Sequence, residues 1–215
     1  MILRQLGKTD LQLSPVGLGT FALGGADWTY AWGPQDDQDS IRAMRHAIEL
    51  GVNWIDTAPV YGLGHAETLV GKAIKSLSEP PIIATKCSLR WDDHRRIYND
   101  LSVKSIFHEA EASLKRLNVD VIDLYQIHWP HPKDQIETGW EALIKLKEQG
   151  KIRYPAVSNF SVPQIERLNE MHPVASLQPP YSMLERRIED EILPFCSENQ
   201  IGVLAYSPMQ KGLLS

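Results

Sequence analysis

Polar side chains follow directly after several short apolar runs of the chain, and four of them have the types needed for acid–base chemistry. Asp56 follows VNWI, Lys86 follows IIAT and His128 follows VIDLYQI, while Tyr61 lies five residues beyond Asp56 in the loop DTAPVYG. Taken singly, an aspartate in this position is equally a turn or cap residue, and the other three are commonly solvated, structural or packing residues. Their recurrence at the same end of consecutive strands favours one shared site.

The chemistry that suits these four side chains is proton donation to a carbonyl. A lysine buried in such a site needs a carboxylate to stay charged, and Asp56 is the nearby candidate. A phenol has a pKa of about 10, and a cation a few ångströms away lowers it towards the range of a useful acid. We therefore predict that Asp56 holds Lys86, that Lys86 lowers the pKa of Tyr61, and that His128 orients the substrate oxygen.

Amide, hydroxyl and aromatic groups follow the later apolar runs. Ser158 and Asn159 come after IRYPAV, Gln178 after VASL, and Tyr206 and Ser207 after GVLA. The amide and hydroxyl groups are suited to hydrogen bonding with a carboxamide, and the ring of Tyr206 offers a flat face for stacking. A carboxamide attached to an aromatic ring describes a nicotinamide.

The composition excludes several other classes of protein. The chain has 215 residues, 22 basic and 27 acidic, with a formal charge of −5 and 43% hydrophobic residues, which argues against disorder and against a nucleic-acid surface. It contains no apolar run long enough to span a membrane, and MILRQLGKTDLQL lacks the apolar core of a signal peptide. Cys87 and Cys196 are too few for a disulfide scaffold, so we expect reduced thiols and a cytoplasmic location.

Strand-like and helical segments alternate along the chain. Residues 102–117 and 136–148 have apolar positions at helical spacing, Gly51 and Gly150 are placed to end helices, and Ser161 with Gln164 can form a capping box. The turn LGKTD predicts a hairpin between residues 2–5 and 11–13. Seven short apolar runs of strand length are the predicted strands: Val16–Leu18, Val52–Ile55, Ile82–Thr85, Val121–Ile127, Ile152–Val157, Val174–Leu177 and Val203–Ala205.

This alternation favours a (β/α)₈ barrel, also called a TIM barrel, over an open doubly wound sheet. Seven units in 215 residues is about 31 residues per unit, as in a barrel of about 250 residues. The open fold that binds dinucleotides carries GxGxxG after its first strand, whereas Gly17, Gly19 and Gly24 have a longer spacing. We predict one domain over residues 1–215, a barrel catalytic domain with an N-terminal hairpin.

The sequence resembles the aldo-keto reductase family from about Leu6 to its last residue. IIATK, VDVIDLYQIHWP, GKIRYPAVSNFS and YSPMQKGLL repeat the later blocks of that family in order. The most specific stretch is GVNWIDTAPVYGLGHAETLVGKAI, in which the family's pattern is matched by Gly51, Asp56, Thr57, Ala58, Tyr61, Gly62, Glu67 and Gly71.

The resemblance implies an NAD(P)H-dependent reductase of aldehydes and ketones, with NADP(H) favoured and NAD(H) as the alternative. It implies Asp56, Tyr61, Lys86 and His128 as a catalytic tetrad with Tyr61 as general acid, and hydride transfer from the nicotinamide to a small-molecule carbonyl. The cofactor residues it implies are Gly19, Thr20, Phe21, Asp56, Ser158, Asn159, Gln178, Tyr206, Ser207, Met209, Lys211 and Gly212. The substrate-pocket walls it implies are Trp28, Tyr30, Trp32, Trp91 and Trp129.

Two features depart from the family's pattern. Pro155 removes a hydrogen-bond donor from a barrel strand. We therefore expect a local bulge there, which would alter the positions of Ser158 and Asn159. The sequence ends after its seventh strand, where the family continues with an eighth strand, further helices and the segment that grips the 2′-phosphate. We therefore expect either a fragment of a longer protein, which we favour, or a chain that needs a partner to cover its open side.

Two other functions are compatible with a barrel. Some relatives of this family act as channel-associated subunits that sense the cofactor, so a binding or regulatory module with little turnover is the alternative. A metal hydrolase is the second, because His128 and His131 are three residues apart, but Trp129 and Pro130 intervene and no third ligand can be named. We accordingly predict no metal.

Overall fold

The computed structural model describes residues 2–215, and its first element is the hairpin predicted around the turn LGKTD. Strand β1 (Arg4–Gln5) pairs antiparallel with β2 (Gln12–Leu13). The side chains of Leu6, Leu11 and Leu13 are buried in one apolar cluster with residues of the central strands. The hairpin therefore contributes to the core.

Within residues 2–215 the central sheet contains seven parallel strands, and each overlaps a predicted apolar run, although the first and the last strand share only Leu18 and Val203 with theirs. In chain order these strands are β3 (Leu18–Gly19), β4 (Trp54–Asp56), β5 (Ile82–Cys87), β8 (Ile122–Ile127), β9 (Ile152–Ser158), β10 (Ser176–Gln178) and β11 (Gly202–Val203). They pair in the order β11-β10-β9-β8-β5-β4-β3, so that β3 and β11 are the two edges of the sheet. The sheet is curled and covered by helices, which is consistent with the predicted (β/α)₈-type barrel. Two further strands, β6 (Leu89–Trp91) and β7 (Ile97–Asn99), lie outside this sheet, between β5 and β8 in the chain.

In the described part of the chain, six α-helices connect the strands of the central sheet. Both helices predicted from apolar spacing are present, and the largest apolar cluster packs helix residues against strand residues. The helices are α1 (Asp37–Glu49), α2 (His65–Ile74), α3 (Val103–Leu117), α4 (Ile136–Glu148), α5 (Val162–Met171) and α6 (Ile192–Asn199). Within residues 2–215, none of the helices has the length and apolar character needed to cross a membrane.

The predicted helix boundaries are also present. Gly51 and Gly150 have φ angles of 94° and 72°, in the left-handed region that favours glycine. At the start of α5, the main-chain nitrogen of Ser161 donates to Oε1 of Gln164 at 2.9 Å. This hydrogen bond belongs to the predicted capping box.

A second hairpin, β6 with β7, lies between β5 and α3 and is not predicted by the sequence pattern. Each of its strands has only three residues, which is too short for alternation to be recognised. Its turn is held by Asp92, whose Oδ1 accepts from the main-chain nitrogens of His94 and Arg96, both at 2.9 Å. An aspartate that bonds to the nitrogen two residues later is typical of a turn.

Pro155 does not produce a bulge in β9. The pairing of β8 with β9 keeps one register from Leu124↔Tyr154 through Tyr125↔Pro155 to Ile127↔Val157. The carbonyl oxygen of Pro155 accepts from the nitrogen of Ala175, on the side of β10. The ladder with β10 begins only at Val157, so the donor that proline lacks falls before that ladder begins.

The loops after β3 and β4 touch at a pair of glycines. Gly62 has a φ of 63°, and a Cβ built on it would lie 2.1 Å from the carbonyl oxygen of Gly24. This close approach brings the ring of Phe21 to 5.2 Å from that of Tyr61, measured between centroids. The backbone contact therefore fixes the position of the Tyr61 loop.

We expect Gly62→Ala to destabilise the protein more than Gly150→Ala. Both glycines have positive φ angles, which cost an L-residue about 1–2 kcal/mol. A Cβ on Gly150 has no atom within 4 Å, so that variant isolates the backbone cost from the clash. In urea denaturation, the free energy of unfolding should fall in Gly62→Ala by at least about twice as much as in Gly150→Ala. Equal losses would show that the two loops separate without cost.

Candidate active site

The ends of β4, β5 and β8 bring the four predicted acid–base residues together. Asp56 is the last residue of β4, Lys86 is the last but one of β5, and His128 follows β8. The Nζ atom of Lys86 lies 2.8 Å from Oδ2 of Asp56 and 3.3 Å from the hydroxyl oxygen of Tyr61. The rings of Tyr61 and His128 meet edge to face, with centroids 5.9 Å apart.

The carboxylate of Asp56 is held by three donors. Its Oδ2 accepts from Lys86, and its Oδ1 accepts from Nε2 of Gln178 at 2.8 Å and from Nε2 of Gln126 at 3.4 Å. Lys86 is fully buried and also donates to the carbonyl oxygen of Thr57 at 2.9 Å. The ammonium and the carboxylate are therefore both hydrogen-bonded, as a buried ion pair must be to remain charged.

Burial and the charge of the neighbouring ion act in opposite directions on the pKa values of Lys86 and Tyr61. Burial has the largest effect on the pKa of Lys86 and lowers it, but Asp56 and Tyr61 together outweigh burial, so that the pKa lies above its ordinary value. Burial likewise raises the pKa of Tyr61, and here it outweighs the lowering effect of Lys86. The net shift of Tyr61 is thus opposite to the one expected from Lys86 alone, because desolvation of the phenolate dominates.

His128 is half-buried at the wall of the cavity, and its ring is held in the neutral form. Burial, and then the positive charge of Lys86, hold the pKa of His128 well below its ordinary value. Its Nδ1 atom is buried and has no hydrogen-bond partner within residues 2–215. Its main-chain nitrogen donates to the carbonyl oxygen of Cys87 at 3.1 Å, which ties it to the end of β5.

The predicted carboxamide-binding residues form a hydrogen-bonded chain beside the acid–base cluster. Ser158 donates through its hydroxyl to the carbonyl oxygen of Gln178 at 2.9 Å, and Nδ2 of Asn159 donates to the hydroxyl of Ser158 at 3.0 Å. The hydroxyl of Tyr206 donates to Oδ1 of Asn159 at 2.9 Å. Within the described residues, Oε1 of Gln178 has no partner and remains able to accept a hydrogen bond.

A cavity of about 1240 Å³ opens at this end of the strands and continues along the side between β3 and β11. Its volume exceeds that of a typical small-molecule pocket of about 300–1,000 Å³. The predicted residues that line it are Gly19, Phe21, Trp28, Tyr30, Trp32, Asp56, Tyr61, His128, Trp129, Ser158, Asn159, Gln178, Tyr206, Ser207 and Lys211.

Five predicted residues lie outside the lining of this cavity. Lys86 is directly behind Tyr61 and reaches the site through that contact. Thr20 is buried and donates through its hydroxyl to the hydroxyl of Thr57. Trp91 lies in β6, Met209 is 49% exposed, and Gly212 belongs to a short helical turn.

Several lining or supporting residues were not predicted. Gln126 contributes a donor to Asp56. The available signal was its position in β8 two residues before His128, which directly follows that strand, because alternate residues along an extended chain share a face. Leu89, Ile97 and Asn99 reach the cavity from the β6–β7 hairpin. Because the sequence did not predict this hairpin, it gave no reason to place these three residues at the cavity.

No metal site accompanies this cavity in the part of the chain that the structure describes. Residues 2–215 contain no group of three His, Cys, Asp or Glu side chains arranged to hold a metal ion. His131 lines the cavity near His128, but a third ligand is missing from the described residues.

Comparisons with known proteins identify a family model and curated relatives. The model described as the aldo/keto reductase family matches residues 15–215. The chain is 41% identical over 212 residues to the aldo-keto reductase YhdN of Bacillus subtilis (strain 168), covering 98% of this chain and 62% of that protein. It is 39% identical over 224 residues to the NADH-specific methylglyoxal reductase of Escherichia coli (strain K12), covering 98% of this chain and 68% of that protein.

A solved structure is similar to the whole of this fold. The glycerol dehydrogenase AKR11B4 from Gluconobacter oxydans superposes with a TM-score of 0.91 at 41% sequence identity. That match covers 99% of this chain and 65% of the other. The chain therefore spans somewhat less than two thirds of the length of YhdN and of this dehydrogenase.

We expect Asp56→Asn to destabilise the protein strongly. The substitution leaves the ammonium of Lys86 buried without its charge partner, and breaking a buried pair in this way costs about 3–5 kcal/mol. As a control, Glu137→Gln breaks the exposed pair with Arg167, which should cost at most about 1 kcal/mol. Urea denaturation measures both, and the double variant Asp56→Asn/Lys86→Met should recover part of the loss. Similar losses for Asp56→Asn and Glu137→Gln would contradict the dependence of Lys86 on Asp56.

Proposed function

The chain belongs to the aldo/keto reductase family, and on that premise we propose that it is an oxidoreductase that reduces aldehydes or ketones to alcohols with a nicotinamide dinucleotide. The observation that carries the proposal is the fully buried ammonium of Lys86, bonded at once to the carboxylate of Asp56 and to the hydroxyl of Tyr61. A buried cation beside a phenol at the edge of a large cavity is suited to proton transfer to a bound oxygen.

Tyr61 is the general acid in this proposal. Its pKa lies above the ordinary value of a phenol, so the hydroxyl keeps its proton at neutral pH until a stronger base is presented. A carbonyl oxygen that gains negative charge is such a base, and Lys86 stabilises the phenolate left behind. Neutral His128 lines the cavity at the edge of the Tyr61 ring, where it can orient the same oxygen by a hydrogen bond.

The residues present fit a nicotinamide cofactor. Oε1 of Gln178 and the hydroxyl of Ser158 face the cavity with hydrogen-bonding capacity for a carboxamide, and Tyr206 lines the same wall. Asn159 keeps these groups in place through its bonds to Ser158 and Tyr206. When bound, the cofactor supplies a hydride. Lys211 lines the cavity close in the chain to Tyr206 and Ser207, and its ammonium group suits a pyrophosphate.

The substrate in this proposal is a small carbonyl compound. The rings of Trp28 and Trp32 lie 5.1 Å and 5.6 Å from that of Phe21, and Phe21 contacts Tyr61, so the acid is bordered by aromatic groups. Relatives are named for methylglyoxal reduction and for glycerol dehydrogenation, which are reactions of small carbonyls and alcohols.

We expect Tyr61→Phe to remove most of the turnover. A general acid contributes about 10²- to 10⁴-fold to the rate, and phenylalanine keeps the ring while removing the proton. Steady-state rates with a panel of aldehydes that includes methylglyoxal should fall by that factor. Nucleotide affinity, measured by tryptophan fluorescence, should stay within about twofold because the phenol does not hold the cofactor.

The matched control for Tyr61→Phe is Tyr98→Phe. Tyr98 lies in β7, is 43% exposed and is outside the cavity lining, so its loss should leave kcat unchanged. Unchanged kcat in Tyr61→Phe would refute the assignment of the acid. A wild-type chain that binds nucleotide but reduces no carbonyl would favour a cofactor-sensing module instead.

We expect Lys211→Ala to weaken nucleotide binding by about 10- to 100-fold, since a charge-assisted hydrogen bond contributes about 1.5–3 kcal/mol. The effect should be larger at low ionic strength, because salt screens the interaction. Lys75→Ala, an exposed lysine at the end of α2, is the control. Titrations with NADPH and NADH in parallel test the proposed preference for NADP(H), with NAD(H) as the competitor. Equal affinities for the two lysine variants would contradict a role for Lys211.

A further inference from the structure

A glutamate that the proposed reaction does not use lies behind the strand that carries Lys86. Glu109, on α3, is 4% exposed. Its Oε1 accepts a hydrogen bond from the main-chain nitrogen of Ser88 at 3.3 Å and another from the hydroxyl of Ser105 at 3.2 Å. Its Oε2 is buried without a partner in residues 2–215. An acid in such surroundings is costly. Its contact with the main chain is made at one point, the nitrogen of Ser88.

That point, Ser88, is where the chain turns out of β5. Its φ of 84° lies in a region that serine rarely adopts, and such a conformation persists only when neighbouring groups hold it. The nitrogen of Asp100 donates to its carbonyl oxygen at 3.0 Å. The hydroxyl of Ser88 accepts from the nitrogen of Trp129 at 3.5 Å, a long contact. Glu109 thus completes the support of a strained residue two positions after Lys86.

The same segment is bonded to the loop that carries His128. Trp129 directly follows His128, and the main-chain nitrogen of His128 donates to the carbonyl oxygen of Cys87. Cys87 and Ser88 therefore join the end of β5 to the end of β8 by two hydrogen bonds. A shift of Ser88 would move the two strand ends relative to each other.

We propose that Glu109 is a positioning residue, whose carboxyl group fixes the relative position of Lys86 and His128 through the main chain of Ser88. The inference rests on the proposed function, since it assigns both residues to the reaction. Glu109 does not line the cavity and touches neither side chain, so it acts only through the backbone.

The groups that face Glu109 leave it mostly protonated at neutral pH. Burial raises its pKa to about 8, and this outweighs the lowering by Ser88, Arg90 and Ser105, while Asp100 raises it further. The folded pKa is higher than the unfolded one, so protonation contributes stability that is fully present at acidic pH and is lost as the pH rises through about 8.

Two further acids face Glu109 from the sheet. Burial raises the pKa of Cys87 on β5 and of Tyr125 on β8 well above their ordinary values, and a charge on Glu109 raises both further. Neither can supply a positive charge to balance an ionised Glu109. The hydrogen bond from Ser88 favours the ionised carboxylate, so ionisation above pH 8 should strengthen that bond. We therefore expect ionisation to draw the main chain of Ser88 towards Glu109 and away from its position at lower pH.

Three variants separate these effects. Glu109→Leu removes the acceptor, and Glu109→Gln keeps an oxygen acceptor but cannot ionise. Glu111→Gln, an exposed residue of the same helix that pairs with Lys151, is the control. We expect kcat to fall about tenfold in Glu109→Leu, with the KM for the carbonyl within about twofold, because a small misplacement of catalytic groups affects the chemical step.

The pH profile provides a measurement that a purely structural role would not change. Wild-type kcat should fall as the pH rises through 8, while Glu109→Gln should match wild type at pH 7 and lack that fall. Glu111→Gln should follow wild type throughout. A folded Glu109→Leu with wild-type kcat, or identical pH profiles for Glu109→Gln and wild type, would overturn the proposal.

An NMR titration tests the same link without an activity assay and without the leucine variant. In the wild-type chain the amides of Ser88 and Trp129 and the ring of His128 should shift together with a midpoint near pH 8, and Glu109→Gln should abolish the shift. If the amide resonance of Ser88 shifts with pH while the resonances of Trp129 and His128 do not, the positioning role of Glu109 is refuted. A chain that shows the coupled titration but reduces no carbonyl would defeat the proposed function alone.

Discussion

The candidate site depends on keeping one ammonium charged in a place that water cannot reach. Lys86 is fully buried, and desolvation alone would lower its pKa. The carboxylate of Asp56 and the hydroxyl of Tyr61 reverse that effect, which requires the ends of β4 and β5 to lie side by side. Gln178 and Gln126 in turn hold the carboxylate, so four strands contribute to one ion pair.

The loops that complete the site are positioned by close backbone contacts. Tyr61 lies in the loop that follows β4. The close contact between Gly62 and Gly24 holds this loop in the position from which Tyr61 reaches Lys86. Ser88 has a comparable role between β5 and β8, with Glu109 behind it. In both places the conformation is one that ordinary residues avoid, so tight local packing must offset its cost. The side chains at the strand ends are therefore positioned by turns that contain a strained residue or require glycine.

Much of the fold could be predicted from the sequence because its signals are local. Apolar β-branched runs overlap all seven central strands, and apolar spacing, Gly51 and the Ser161 cap define helices that are present. Parallel strands place their carboxyl ends at one end of a barrel. The proximity of Asp56, Lys86 and His128 therefore follows from where each stands in its own strand. The β6–β7 hairpin escaped prediction because three-residue strands carry too little pattern.

By itself, then, the sequence determined the order of the strands and helices and the end of the sheet at which the polar groups collect. Only the tertiary structure decided that the pKa of Tyr61 rises, that Gln126 supports Asp56, and that Trp91 lies outside the cavity. It also decided that Glu109 is buried against Ser88. The physical reason is that strand and helix signals depend on neighbours in the chain. The desolvation of a side chain, the charges around it and whether it lines the cavity depend on groups that approach from distant segments, and the local spacing of residues does not record those approaches.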